Sequence, residues 1–466
     1  MDRKTPGADR LPSGTAREGA TVASWADHAI WWQVYPLGFT GAEAAALPAD
    51  EPVRHRLRHL ENWLDYAVEL GCSGLQLGPI FASETHGYDT VDHFRIDSRL
   101  GDDADFDRFV AAARDRGLHV LLDGVFNHVA RGFPVFGRAE ADPRAAAWFR
   151  RSPTGAETGG DTGGDTGGDY DTFEGHRHLV ALNHDEPAVL DHVVRVMDHW
   201  LGRGVSGWRL DAAYAVPPQF WRRALERVRP RHPGAWFAGE VLHGDYAEYV
   251  SASGLDSVTQ YELWKAIWSS LNDGNFYELA WALERHNGFL KTFAPLTFAG
   301  NHDVTRLASR LTDERHLGHA LAVLFTVGGV PSVYYGDEQA YRGIKEERAG
   351  GDDAVRPAFP GSPAELPAAG RPVHGLHRRL IGLRRRHPWL VRARTSARNL
   401  DNTTVALLSA DPDHPGEELL TLLNAGDRPH RFPAGSTGRA VLESSGGTTA
   451  DPYLVPAHGW RILGGG

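Results

Sequence analysis

The chain has 466 residues, 41% of them hydrophobic, and carries 60 Asp and Glu against 49 Lys and Arg, for a formal net charge of −11. That balance argues against nucleic acid or an anionic membrane as the main partner, and the length is too great for one minimal domain. A lone cysteine, Cys72, excludes an internal disulfide. Nothing near the N-terminus has the make-up of a targeting signal and no apolar run could cross a bilayer, so a soluble, cytoplasmic protein is expected.

In chain order, residues 1–24 are polar and rich in Pro and Gly, and a disordered tail is expected there. Residues 29–36, AIWWQVYP, read as a buried strand closed by Pro36. Leu57, Leu60, Leu64, Ala67 and Val68 then fall at helical spacing, with Gly71 as a stop. A second strand over 74–80, a helix over 106–116 ended by Gly117 and a third strand over 118–123 follow. Strand then helix, repeated, is the pattern of a parallel α/β fold.

The alternation breaks over residues 129–183, which read as an inserted domain. Within it, TGGD repeats from Thr158 to Asp169. A period of four in Gly, Asp and Thr cannot bury a face, so a flexible surface loop is predicted. A calcium-binding Gly/Asp repeat is the sharper alternative, but the known β-helix form has a different period. Alternation then resumes, with helices over 189–201 and 220–229. Further strands are expected at 207–211, 235–240, 257–261, 296–303 and 329–336. Eight strands in this order predict a (β/α)8 TIM barrel built from residues 25–128 and 184–390. The rival, a doubly wound open sheet, lacks a Gly-rich phosphate fingerprint after its first strand. Short strands at 404–408, 419–423, 439–442 and 459–463, set between turn-rich stretches, predict a C-terminal antiparallel β-sandwich domain over 391–466. It shows no cluster of titratable residues and is expected to pack against the barrel.

The stretch Gly207-Trp208-Arg209-Leu210-Asp211 carries the first chemical signal. On a strand, positions i and i+2 share a face, so Arg209 and Asp211 are neighbours, and an adjacent Arg favours an ionised carboxylate. A plain helix cap would also explain one such Asp. Four carboxylates at strand ends, Asp123, Asp211, Glu240 and Asp303, with His128 and His302, exceed what capping explains, because a barrel projects its working residues from the C-terminal ends of its strands. Cleavage of a glycosidic bond needs a carboxylate on each side of that bond.

The sequence resembles the α-amylase family, family 13 of the glycoside hydrolases, over about residues 30–390. The matching motifs are Asp123-Gly-Val-Phe-Asn127-His128, Gly207-Trp-Arg209-Leu-Asp211, Phe237-Ala-Gly-Glu240 and Phe298-Ala-Gly-Asn301-His302-Asp303. Secondary matches are His86-Gly87-Tyr88-Asp89, Leu182-Asn183 and Gly329-Val-Pro-Ser-Val-Tyr-Tyr-Gly336. The resemblance implies a barrel, an inserted domain after the third strand and a C-terminal β-domain. It further implies a retaining hydrolase of α-glucosidic, mainly α-1,4, bonds, with a trehalose- or sucrose-type glucosyltransferase or isomerase as the alternative. A non-catalytic binding subunit is disfavoured by the intact carboxylates. Asp211 is implied as nucleophile, Glu240 as general acid/base and Asp303 as the carboxylate that bonds the sugar. Substrate binding is implied for Arg209, His128, His302 and Tyr88, while Asp123 is expected to orient Arg209. The acid is expected in the more desolvating position, with Asp211 ionised.

Departures from the family pattern bear on specificity. Tyr214-Ala215 stand where many α-amylases carry a Lys-His pair on the leaving-group side, and Thr85 stands where exo-acting α-glucosidases often carry Asp. Leu179-Val-Ala-Leu-Asn183 lacks a carboxylate often tied to calcium, and Asn127 alone is a poor ligand set. No cofactor or metal is therefore expected, and a structural calcium is disfavoured. Nothing in the sequence reports on oligomeric state.

Overall fold

The computed structural model describes residues 25–152, 170–348, 350–434, 438–446 and 450–465. The expected tail over 1–24 and the TGGD stretch over 158–169 lie outside the described residues.

Eight parallel strands form one sheet: β1 (Trp31–Val34), β2 (Gly74–Leu77), β3 (His119–Gly124), β4 (Gly207–Leu210), β5 (Trp236–Gly239), β6 (Ser257–Val258), β7 (Leu296–Phe298) and β8 (Val330–Tyr334). Their spatial order is β6-β5-β4-β3-β2-β1-β8-β7, so each strand lies beside its neighbour in sequence. A parallel bridge from Thr259 to Leu296 joins the two outer strands. The sheet therefore closes on itself, which excludes the open doubly wound alternative. β4 is buried at every position, as expected of a strand covered on both faces. Alternation along it turns Trp208 out against Phe81 and Phe126, at ring distances of 6.1 and 5.7 Å, and leaves Arg209 facing inward. Gly207 lets β4 approach β5 closely, since a Cβ there would lie 1.9 Å from the Trp236 carbonyl oxygen.

The expected single helix before Gly71 is two, Leu57–Glu61 and Leu64–Leu70, broken at Asn62-Trp63. Gly71 ends the second in a left-handed conformation (φ 100°). The seventh strand stops at Phe298, so Asn301, His302 and Asp303 stand on the loop beyond it. An antiparallel hairpin, Phe81–Ser83 with Thr90–Ile96, follows β2 and has no counterpart in the sequence reading. After β3 the chain forms a short antiparallel pair, His128–Ala130 with Leu179–Ala181, before returning to the helix Pro187–Gly202.

Beyond the helix Arg371–Arg386 lie β9 (Arg394–Arg398), β10 (Thr404–Ala410), β11 (Glu418–Asn424), β12 (Arg439–Ser444) and β13 (Gly459–Gly465). They make an antiparallel sheet in the order β9-β10-β11-β13-β12. The first of these was not predicted, because its RTSAR sequence lacks apolar alternation. Ala406, Leu422 and Leu463 pack with Phe432, Tyr453 and Val455 in a small core of its own. The sheet also meets the helix Leu317–Thr326, where Gly318 makes room for Trp460. The expectation that this region holds no titratable cluster is overturned at this seam, where Asp427 and His458 meet Asp313 and His316.

Candidate active site

β3, β4 and β5 bring three carboxyls to one guanidinium. Arg209 Nη1 donates to both oxygens of Asp123 at 2.9 Å and to Asp211 Oδ1 at 2.8 Å. Its Nη2 lies 2.6 Å from Glu240 Oε1. Asp123 thus orients Arg209, as expected. Ala212, immediately after Asp211, takes a left-handed backbone (φ 43°) that is strained for a residue with a Cβ. In that conformation its N–H donates to Glu240 Oε2 at 3.0 Å. Glu240 also accepts from the Tyr261 hydroxyl at 3.1 Å, which in turn accepts from Asn301 Nδ2 at 2.8 Å.

One cation facing three buried carboxyls cannot neutralise them all. Burial, only partly countered by Arg209, pushes Asp211 well above the usual carboxylate range, and the neighbouring carboxyls add to this. The expected contrast in desolvation is absent, since Asp211 and Glu240 are each 6% exposed. The reason is the shared guanidinium, which draws both to the same depth. Asp303 behaves oppositely. Burial would raise it, but His302, Arg356 and Arg209 outweigh that and hold it well below the usual range.

Asp303 is held from two sides, by His302 Nε2 at 2.9 Å and by Arg356 Nη2 at 2.7 Å. Gln33 on β1 donates to His302 Nδ1 at 3.1 Å, which leaves the ring proton on Nε2. Tyr88 stands on the loop of the hairpin after β2, fixed there by Asp89, which accepts from Thr85 Oγ1 at 2.5 Å and from the Gly87 N–H at 3.1 Å. Its hydroxyl bonds His302 Nε2 and donates to Asp123 Oδ2 at 3.1 Å, and its ring lies parallel to His302 at 5.5 Å. His128 donates from Nε2 to the Tyr88 carbonyl at 3.0 Å and stacks on Phe173 at 4.5 Å. Burial lowers its pKa to about 4, so the ring is neutral. Both histidines have both nitrogens engaged by protein groups, so either must exchange a bond to meet a sugar hydroxyl.

The eight residues singled out in the sequence, Asp123 among them, therefore converge. Four others at the site went unnoticed. Gln33 had a signal, as the polar residue inside an otherwise apolar strand. Tyr261 had a weaker one, as the polar-tipped last residue of the strand expected over 257–261. Arg356 and Glu174 had none, because both stand in irregular chain. Arg356 lies beyond β8, over Tyr35 at 4.7 Å from the ring centre. Glu174, in the inserted segment, accepts from the Tyr214 hydroxyl at 2.6 Å, so Tyr214 ties that segment to the barrel.

The residues around Asn127 do not fit a hard cation. Asn127 Oδ1 is buried without a partner, but Asn183 turns away, donating to the Ala147 carbonyl at 2.9 Å and accepting from the Asp185 N–H at 3.2 Å. Among the described residues no group of three ligating His, Cys, Asp or Glu side chains includes this region.

Fold and site together define a closed parallel barrel with a carboxylate cluster on the C-terminal rim of its strands, the class to which many barrel enzymes belong. The α-amylase catalytic-domain model matches residues 33–362, and the chain belongs to that family. It is 29% identical over 339 residues to a cyclomaltodextrinase from Bacillus sp, covering 68% of this chain and 60% of that protein's length. It is 27% identical over 343 residues to the intracellular maltogenic amylase of Bacillus subtilis (strain 168), covering 68% of this chain and 56% of that protein. The ligand-free cyclic α-maltosyl-(1→6)-maltose hydrolase from Arthrobacter globiformis superposes with a TM-score of 0.76 at 26% identity, covering 95% of this chain and 99% of that one.

Proposed function

We propose that the chain is a retaining hydrolase of α-glucosidic, mainly α-1,4, bonds in maltooligosaccharides and cyclic maltodextrins. The observation that carries this reading is the pair of reactive-type carboxyls, Asp211 and Glu240, held on the two ends of the Arg209 guanidinium. In the first step Asp211 attacks the anomeric carbon while Glu240 protonates the departing glycosidic oxygen. Glu240 then takes a proton from water, which displaces Asp211 and restores the configuration. The step uses Glu240 as the proton donor and Asp211 as the carboxylate nucleophile. Asp303, kept ionised by His302 and Arg356, bonds sugar hydroxyls and favours the oxocarbenium-like transition state. Tyr88 supplies the aromatic platform. The names of the relatives, cyclomaltodextrinase and maltogenic amylase, support a glucan substrate, and the intracellular relative supports a cytoplasmic location. Among the described residues no helix is long and apolar enough to cross a membrane. No cofactor is required on this reading.

Wild type and Asp211→Asn incubated with maltoheptaose, β-cyclodextrin, trehalose and sucrose test it by product chromatography. Short α-configured maltooligosaccharides from wild type, and at least about 10⁴-fold less from the variant, are expected. Rearranged or longer sugars would replace hydrolysis by glucosyl transfer, and β-configured products would exclude the double displacement.

A further inference from the structure

A second cluster lies away from the carboxylates described above, where the barrel's outer helix layer meets the C-terminal sheet. Asp313 and His316 stand just before the helix Leu317–Thr326, and His458 stands in the turn before β13. One ligand atom from each lies within 4.8 Å of the others. His316 Nε2 and His458 Nδ1 are 3.1 Å apart, and Asp313 Oδ2 is 3.9 Å from His458 Nδ1. Two imidazole nitrogens on one tetrahedral zinc, each about 2.05 Å from the metal, are separated by about 3.3 Å.

The placement of these groups suits a cation. His458 Nε2 lies 2.8 Å from Asp427 Oδ1, a carboxylate that can only accept, so Nε2 carries a proton and Nδ1 is the nitrogen turned inward toward His316. Asp313 Oδ2 faces the same space, while Arg315 holds it from the outer side, donating from Nη2 at 2.6 Å and from Nε at 3.0 Å. The contact between His316 Nε2 and His458 Nδ1 joins only the two rings. A divalent ion satisfies all three groups at once. Asp427 on His458 is the outer carboxylate that commonly fixes the tautomer of a ligating imidazole. His458 is held in a left-handed backbone (φ 51°), which costs stability and turns its ring into the seam.

We propose that Asp313, His316 and His458 form a structural site for a borderline transition-metal cation, zinc above all, that pins the C-terminal domain to the barrel. Two nitrogens and one carboxylate oxygen suit zinc rather than calcium or magnesium. Water completes the tetrahedron, since Asp313 is 26% exposed at its side chain. The other such cluster, His55 with Asp102 and Asp105, is less suitable. There His55 Nδ1 already pairs with Asp105 at 2.5 Å, and both aspartates cap the helix Asp103–Asp115.

The full chain, stripped with chelator, would be titrated with Zn2+ against a chromophoric competitor, and with Co2+ followed by its visible absorption. Wild type is expected to take one equivalent with a four-coordinate cobalt spectrum, and to gain thermal stability in Zn2+. His316→Gln and His458→Asn should weaken binding by more than about 100-fold and abolish the stabilisation. Asp427→Ala, at an exposed position, should keep the site with about 10–100-fold weaker affinity. Glucan hydrolysis by the folded variants should match wild type at moderate temperature. The proposal is overturned if wild type takes up no stoichiometric metal, or if the variants bind as tightly as wild type. It is likewise overturned if His55→Asn alone abolishes binding.

Discussion

Replacing Arg356 by Met tests the least anticipated member of the site. Met keeps an unbranched apolar side chain but removes the guanidinium, whose carbon lies over Tyr35 and whose Nη2 lies 2.7 Å from Asp303 Oδ1 and 2.9 Å from Asp352 Oδ2. A hydrogen bond to a charged group contributes about 1.5–3 kcal/mol. Asp303 is 29% exposed at its side chain, and His302 still holds its other oxygen, so the lower half of that range applies. At about 1.4 kcal/mol per factor of ten, kcat/KM should fall roughly 10- to 50-fold. The pH profile adds a sign. Burial would raise the Asp303 pKa, but His302 and Arg356 hold it well below the usual range. Without Arg356 it rises, so activity that needs ionised Asp303 is lost at a higher pH as the solution is acidified. The acid limb of kcat/KM should therefore move toward neutrality while the basic limb stays in place. Initial rates on maltoheptaose across pH, with thermal unfolding as a control, measure both. A folded variant with kcat/KM within about twofold of wild type and an unmoved acid limb would refute the role given to Arg356.

Tyr214→Phe should leave kcat on a short chromogenic maltoside within about twofold, because only the bond to Glu174 is lost. On maltoheptaose it should shift the ratio of transfer to hydrolysis by about 3- to 10-fold, as read by product chromatography; equal ratios would remove Tyr214 from the leaving-group side. Burial pushes Glu338 from its usual 4.5 up to about 7, so the folded chain binds its proton where the unfolded chain does not. Stability from this group is thus greatest below about pH 4.5 and declines as pH rises to about 7, by at most about 3 kcal/mol. Glu338→Gln should flatten that decline in urea unfolding at pH 5 and pH 8, and a parallel decline would exclude the group as its source. Chelator should leave kcat unchanged at moderate temperature, since Asn127 gathers no carboxylate; full and reversible loss of rate in EDTA would restore a calcium requirement.

The barrel was legible because its strands are buried on both faces and therefore read as apolar runs ending in polar residues. Asp211, Glu240 and Asp303 were legible for the same reason, as charges placed where an apolar run stops. The hairpin that carries Tyr88 was not, because its second strand, TVDHFRI, mixes buried and exposed positions without clean alternation. Arg356 could not be found from local pattern at all, since its role comes from tertiary proximity to a loop 53 residues earlier. The expected difference between Asp211 and Glu240 failed for a related reason. Sequence shows Arg209 beside Asp211, but only the closed barrel shows Glu240 on the same guanidinium.

The bridge between Thr259 and Leu296 has a kinetic consequence. β6 has only two residues, and that one bridge, backed by the Gln260 N–H to the Leu296 carbonyl at 2.9 Å, closes the ring there. Short pairings of this kind open more readily than long ones, and amide exchange reports such openings. Tyr261, one residue further on, carries the hydroxyl that meets Glu240. An opening that carries Tyr261 with it is expected to draw that hydroxyl away from Glu240 and to leave the Arg209 bonds in place. A sugar that braces Tyr261 would slow exchange of the Gln260 amide, making this short closure a spectator of occupancy at the barrel's centre.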